Sequence, residues 1–109
     1  MGHHEDSFDG FTNYETWCVH WWLANDQEIS KRCQELATQA TAIVEEASRT
    51  IAGIGTSAEA IRNLLANELS ELVDEFNPVA DQTTLFSDLM GSALGEVDWH
   101  EIADAILEE

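Results

Sequence analysis

Apolar residues recur at helical spacing along the chain from Phe11 onward, and no segment shows the period-two alternation that is typical of a strand. Capping signals and helix-breaking residues divide this pattern into five segments. The pattern therefore predicts an all-α fold, a compact bundle of four to five helices, in a single domain that covers residues 11–109. Residues 1–10 (MGHHEDSFDG) are strongly polar, and we expect them to form a flexible, acidic lead-in.

The first helical segment is rich in tryptophan. Thr12 and Glu15 have the spacing of a capping box, which predicts that the helix begins there and runs to about Asn25. Apolar side chains cover most of its circumference, as in a helix that packs on several sides, so we expect it to be the central element. These side chains are Tyr14, Trp17, Cys18, Val19, Trp21, Trp22 and Leu23.

The second segment carries a heptad-like seam with several small residues. Its apolar positions step by three and four along the chain, at Ile29, Cys33, Leu36, Ala40, Ile43, Ala47 and Ile51. Alanines in such a seam allow close approach of another helix. The seam could therefore pack within the chain or against a second copy, which leaves a monomer and a homodimer both open.

Three further helices are predicted after Gly53 and Gly55. A capping box at Thr56 and Glu59 begins the third helix, and residues 77–78 (Asn-Pro) end it. A fourth helix from about residue 82 has the spacing of a core-facing stripe, made of Leu85, Phe86, Leu89, Met90, Ala93, Leu94 and Val97. Asp98 and Glu101 form a capping box for a short fifth helix.

The charge of the chain is strongly unbalanced, with 22 Asp and Glu residues against four Lys and Arg and a formal net charge of −18. Four cations cannot neutralise a phosphate backbone, and we therefore expect no direct binding of nucleic acid. No apolar run approaches the roughly 20 residues that cross a bilayer, so we expect no membrane association and a cytoplasmic protein. Cys18 and Cys33 lie outside any CxxC pattern and are expected to be buried free thiols.

Two interpretations of the acidity remain open. Carboxylates on the outward positions of most helices are typical of adaptation to a high-salt cytoplasm, where the Debye length falls to about 3 Å. They could also bind a protein partner with a basic surface, including a restriction, CRISPR or regulatory protein that the chain inhibits by mimicking nucleic acid. The candidate acidic surface consists of Glu68, Glu71, Asp74, Glu75, Glu101 and Asp104.

Both ends of the chain carry a recognisable signature. Residues 12–17 (TNYETW), 22–26 (WLAND) and 94–103 (LGEVDWHEIA) resemble a family of small uncharacterised proteins with an N-Y-E-T-W…W-L-x-N-D opening and a V-(N/D)-W-x-E-I-A close. Members occur in bacterial, archaeal, phage and plasmid gene sets, so the resemblance implies association with mobile elements and no particular reaction. Cys18 departs from the family, which often has a polar residue there.

Candidate catalytic chemistry is sparse. The sequence contains no GxSxG, Walker A, dinucleotide-binding glycine or HExxH motif, so we expect no enzymatic activity. Cys18 and His20 would point about 200° apart on one helix, which prevents them from acting as a pair. His100 and Asp104 are four residues apart, a spacing that favours a surface pair over a metal site. We therefore expect no cofactor and no metal.

Five aromatic residues are candidates for binding a partner, namely Tyr14, Trp17, Trp21, Trp22 and Trp99. Aromatic residues at helical spacing usually belong to a core, so the favoured interpretation is one aromatic cluster that joins the two ends of the chain. Exposure of Trp21 or Trp22 would instead favour a binding surface. Together these features predict a non-enzymatic, strongly acidic helical binding protein.

Overall fold

The computed structural model describes residues 8–50 and 57–109, and every regular element in these two ranges is an α-helix. The helices are α1 (Tyr14–Asn25), α2 (Gln27–Thr50), α3 (Ala58–Glu75), α4 (Leu85–Gly95) and α5 (Trp99–Leu107). The predicted all-α bundle is thereby confirmed. The predictions made for residues 1–7 of the lead-in, for Ile51, for the glycines at 53–55 and for Thr56 lie outside the described residues.

Polar side chains begin the helices, though not always where the sequence predicted. The side chain of Asn13, rather than that of Thr12, caps α1 by accepting the backbone amide of Thr16. Ser57 caps α3 by accepting the amide of Ala60. Asp98 caps α5 as predicted, because its carboxylate accepts the first free amides of that helix.

The centre of the bundle is α3. It packs against both α5 and α2, and its Leu65 and Leu69 side chains have no exposed surface. The prediction that α1 would be central is wrong, because the large aromatic rings of α1 do not face the core. The buried cluster around α3 comprises Leu23, Cys33, Leu36, Ala37, Ala40, Leu65, Ala66, Leu69, Leu72, Val97, Ile102, Ala103 and Ile106.

The alanine-rich seam of α2 is used within the chain. Cys33, Leu36 and Ala40 lie in the core, so over the described part of α2 this stripe is not available to a second copy. Ile43, which the sequence placed in the seam, is exposed instead. The small side chains allow the close approach that the sequence predicted, but the approaching helices belong to the same chain.

The fourth helix differs most from its prediction. None of the eleven residues of α4, all of which the structure describes, is buried. The expected core-facing stripe is therefore wrong, since Leu85, Phe86 and Leu89 are 66%, 69% and 58% exposed. Two residues of the predicted stripe do reach the core: Leu94 packs against it, and Val97, beyond the end of the helix, is buried in it. Spacing alone defines an apolar side of a helix but not the direction in which that side is turned.

Among the helices that the structure describes, none combines the length and the apolar character needed to cross a membrane.

Candidate partner-binding surface

The outward side of α1 carries most of the aromatic residues of that helix. Four residues form this surface, which we call the α1 aromatic face: Tyr14, Trp17, Trp21 and Trp22. Trp21 and Trp22 are 44% and 64% exposed, Tyr14 is exposed, and Trp17 is half-buried. The side that faces the core carries the buried Thr16 and Leu23. Four of the five predicted partner-binding residues therefore share one surface.

Ring contacts hold the α1 aromatic face in place. Trp21 and Trp22 meet edge to face, with ring centroids 5.3 Å apart, and Tyr14 contacts Trp17 at 5.7 Å. The indole Nε1 of Trp17 donates a hydrogen bond to Asp9 Oδ2 at 2.9 Å. Such pairs fix large side chains at little cost in conformational entropy. The face is therefore an ordered aromatic surface next to a carboxylate.

Tyr14 and Cys18 supply the polar groups of this face. A hydrogen bond to Cys18 raises the pKa of the Tyr14 phenol, and electrostatic interactions with Cys18 and Glu15 raise it further. The phenol therefore stays protonated, and uncharged, well above neutral pH. Cys18 is a free thiol and only half-buried, so the expectation of two buried thiols holds for Cys33 alone.

Trp99 does not join the other tryptophans. It packs against the core and lines a cleft between α3 and α4. Within the described residues its ring makes no aromatic contact with Trp17, Trp21 or Trp22. The predicted single aromatic cluster is therefore wrong, because α1 turns its rings outward while Trp99 packs against the core.

Polar residues, rather than rings, join the two ends of the chain. We call this set the terminal clasp, and it consists of Thr12, Asn13, Thr16, Glu96, Asp98 and Glu101. Thr12 donates its backbone amide and its hydroxyl to the two carboxylate oxygens of Glu101, at 2.9 and 2.6 Å. The Asn13 amide donates to the backbone carbonyl of Glu96 at 2.8 Å. The buried hydroxyl of Thr16 accepts the backbone amide of Asp98 at 2.9 Å.

The terminal clasp connects two segments that lie far apart in the chain. Polar residues within 12–17 bind polar residues within 94–103, so both segments have a structural role. The spacing of Thr12 and Glu101 predicted caps for their own helices, and no local pattern indicated that the two residues bind each other. Thr16 and Asp98, for example, are 82 positions apart.

Two of the six predicted acidic-surface residues are engaged by other side chains of the fold. Glu101 belongs to the terminal clasp, and Asp104 accepts a hydrogen bond from Arg62 Nε at 2.8 Å. Both residues remain partly exposed, so they lie at the surface with their carboxylates already hydrogen-bonded. Glu68 is half-buried, which leaves its carboxylate less accessible than expected.

The other three predicted carboxylates meet at one place. Glu71, Asp74 and Glu75 line the cleft between α3 and α4, a space of about 720 Å³, and Asp88 of α4 joins them. Trp99 contributes an aromatic surface to the same cleft. We call this feature the α3–α4 cleft. It presents several carboxylates beside an apolar wall, which is a chemistry that suits cationic side chains.

The charge is also distributed unevenly along the chain. Residues 57–109 contain thirteen carboxylates and one cation, Arg62, whereas residues 8–50 contain seven carboxylates and three cations. Arg62 is engaged with Asp104, and Arg49 pairs with Glu46. The part of the molecule built from α3, α4 and α5 is therefore much the more acidic.

His20 and His100, the two histidines that the structure describes, contact other side chains of the fold. His100 lies 2.9 Å from Asn63 Oδ1 and Asp104 binds Arg62, so the predicted His100–Asp104 pair does not form. The ring of His20 stacks on Phe11 at 5.0 Å. Over the ranges 8–50 and 57–109, no three His, Cys, Asp or Glu side chains come close enough together to hold a metal ion.

Comparison with protein-family models, with curated proteins and with solved structures finds no match to this chain. The binding chemistry is therefore inferred from the surface of the chain itself. That surface offers the α1 aromatic face, the α3–α4 cleft and the exposed side of α4.

Proposed function

We propose that this chain is a non-enzymatic binding protein that docks a basic protein partner on its α1 aromatic face. The observation that carries the proposal is the orientation of α1, which buries Thr16 and Leu23 while Tyr14, Trp21 and Trp22 remain exposed. Folding alone would favour the opposite orientation, since burying a large apolar side chain contributes about 1.5–3 kcal/mol. A partner that covers the rings recovers this contribution on binding.

The chemistry of the face suits arginine and lysine side chains. Tryptophan and tyrosine are the residues most often found at binding hot spots, and their ring faces attract guanidinium groups. The net charge of −18 adds a long-range attraction for any basic surface. Asp9, which already binds Trp17, places a carboxylate at the edge of the rings.

The setting that we propose is the cytoplasm of a cell that carries a phage, a plasmid or a similar mobile element. This part of the proposal rests on the resemblance of residues 12–26 and 94–103 to the small family described above. The partner would then be a basic protein of the host or of the element itself.

A defined probe tests the role of the rings. A short peptide that alternates arginine with glycine is titrated into the chain while tryptophan fluorescence is recorded, and the Trp21→Ala/Trp22→Ala variant is compared with Phe86→Ala. Phe86 is an aromatic residue on α4 and is at least as exposed as the two tryptophans, so it controls for loss of a surface ring. Because Trp21→Ala/Trp22→Ala removes two of the fluorescent rings, binding of the peptide to this variant is measured from the nuclear magnetic resonance shifts of backbone amides.

We expect the peptide to bind the wild-type chain and Phe86→Ala alike, and to bind Trp21→Ala/Trp22→Ala at least about tenfold more weakly. Binding should weaken as KCl rises, since part of the attraction is electrostatic. Equal affinity for all three proteins would show that the acidic charge alone attracts the peptide, and would refute the role of the α1 aromatic face.

A second candidate function is mimicry of nucleic acid, with inhibition of a restriction, CRISPR or regulatory protein. The uneven charge favours it, because thirteen carboxylates fall in residues 57–109 and Glu71, Asp74 and Glu75 converge on the α3–α4 cleft. Such a density of negative charge can compete for the cationic groove that normally holds a phosphate backbone.

Competition against a DNA duplex distinguishes mimicry from the first proposal. Under mimicry, the chain displaces a labelled duplex from a basic DNA-binding protein, and Glu71→Gln/Asp74→Asn/Glu75→Gln loses this activity. The Trp21→Ala/Trp22→Ala variant should retain it. If the aromatic variant loses the activity and the charge-neutralised variant keeps it, mimicry by the cleft is rejected.

A further inference from the structure

The apolar side of α4 is turned away from the rest of the molecule. We call this surface the α4 apolar face, and it consists of Leu85, Phe86, Leu89 and Met90, all of them exposed. The opposite side of the helix carries Ser87, Asp88 and Gly91, which line the α3–α4 cleft. Leu94, in the last turn, also lies on that side and packs against the core. The other large apolar side chains of α4 face the exterior.

A helix of this length needs a packing surface. Isolated helices shorter than about 12–15 residues are marginal in water, and α4 has eleven residues. A capping box between Thr84 and Ser87 stabilises its first turn. That capping stabilises the helix by only about 1 kcal/mol. Burial of the α4 apolar face against a partner would stabilise it by more.

We infer that the α4 apolar face is the contact surface for a second copy of this chain. In this arrangement two α4 helices pack against each other across a twofold axis, each apolar face covering the other. The inference goes beyond the proposed function, which uses α1 and leaves α4 uncovered.

The area of the face is sufficient for a symmetric pair. The exposed fractions of its four side chains correspond to roughly 500 Å² per copy, so a pair that covered all of this surface would bury about 1,000 Å², the lower limit for a specific interface. Flanking residues of the turn before α4 and of the opposite copy would add to this contact.

The distribution of charge favours a second copy over a basic partner at this face. Residues 82–95 contain a single charged residue, Asp88, and its side chain lies on the cleft side of the helix. Two chains of net charge −18 repel each other, and an uncharged apolar face is where they can approach most closely. A basic helix would instead require carboxylates along the edges of the apolar face.

The two arrangements respond to salt in opposite directions. Screening removes repulsion between identical acidic chains, so self-association should tighten as KCl rises from about 0.05 to 2 M. Attraction to a basic partner weakens over the same range. Sedimentation velocity at several concentrations of protein and of KCl therefore shows whether a dimer forms. It also shows whether salt strengthens or weakens the association.

We expect the mass to change from the 12.1 kDa monomer to twice that value as protein and KCl rise. Phe86→Gln/Leu89→Gln should weaken the association by at least about tenfold. Its helix content should be unchanged, because neither residue is buried in the monomer. Trp21→Ala/Trp22→Ala is the matched control and should still dimerise.

Three results would overturn the inference. One is a monomer at every concentration of protein and salt, and another is a dimer that Phe86→Gln/Leu89→Gln leaves intact. The third is a dimer that only Trp21→Ala/Trp22→Ala disrupts, which would place the contact on α1. A monomer that still binds the arginine peptide through its tryptophans would refute the dimer and leave the proposed function standing.

Discussion

The buried hydroxyl of Thr16 accepts the backbone amide of Asp98 at 2.9 Å, although 82 positions separate the two residues in sequence. The same hydroxyl donates to Asn13 Oδ1 at 2.6 Å. One side chain thereby connects the start of α1 to the start of α5. Within a reciprocal capping box the amide of Asp98 would bind Glu101, but Glu101 binds Thr12 instead.

Removal of the Thr16 hydroxyl should destabilise the fold. In Thr16→Val the shape of the side chain is kept while the amide of Asp98 loses its acceptor, at a cost of about 1–3 kcal/mol in the free energy of unfolding. Thr16→Ser keeps the hydroxyl and should be clearly more stable than Thr16→Val. Urea unfolding followed by circular dichroism measures the difference. Equal stability of the two variants would argue against the terminal clasp.

The outward orientation of most apolar residues of α4 predicts a contrast between two leucines. Leu69→Ala should cost about 2–5 kcal/mol, because Leu69 is completely buried at the centre of α3. Leu89→Ala should change the stability of the monomer by less than about 0.5 kcal/mol, because Leu89 is exposed. Urea unfolding at low protein concentration and low salt makes the comparison. A large effect of Leu89→Ala under those conditions would mean that Leu89 itself packs on the core.

The thiol of Cys33 should make stability depend on alkaline pH. Burial raises the pKa of Cys33 from about 9 to about 11; the carboxylate of Glu109 adds to the shift and Arg32 opposes it. The folded chain then retains a proton that the unfolded chain releases above about pH 9, so stability is complete below that value and falls as pH rises toward 11. The slope of unfolding free energy against pH should be smaller in Cys33→Ala. An unchanged slope would contradict a shifted Cys33 titration.

Salt should stabilise the fold by screening the repulsion between carboxylates in residues 57–109. The carboxylates of residues 57–109 repel one another at low ionic strength, so the thermal unfolding temperature should rise between about 0.05 and 3 M KCl. Neutralising three carboxylates of the cleft in Glu71→Gln/Asp74→Asn/Glu75→Gln should raise the unfolding temperature at low salt and flatten its dependence on KCl. If the wild-type chain is fully stable at low salt and its unfolding temperature does not depend on KCl, the result would instead favour the interpretation that the carboxylates serve to bind a partner.

Local sequence patterns were sufficient to predict the helices. The spacing of apolar residues, together with Asp98 as a cap and the stop at residues 77–78, located all five elements to within a few residues. The error at the start of α1 was of one residue, because neighbouring Thr and Asn side chains can each serve as a cap. Tyr14, Trp21 and Trp22 were named as candidates from sequence, but the pattern did not predict that they are exposed.

The direction in which each helix turns could not be predicted in the same way. Apolar residues surround most of α1, so the sequence did not distinguish the side of Trp21 from the side of Leu23. In α4 the apolar side is well defined, yet it faces outward because Ser87, Asp88 and Gly91 occupy the side next to α3. Which side of a helix is buried depends on the other helices, because the core can hold only part of the apolar surface of the chain.

The sequence by itself determined the all-α fold, the excess of negative charge and the aromatic character of α1, since these follow from composition and from spacing within single helices. Only the tertiary structure decided that the rings of α1 are exposed, that Thr16 binds Asp98, and that the carboxylates of Glu71 and Asp88 share a cleft. The physical reason is that contacts between residues distant in the chain depend on the packing of whole helices, which no local pattern specifies.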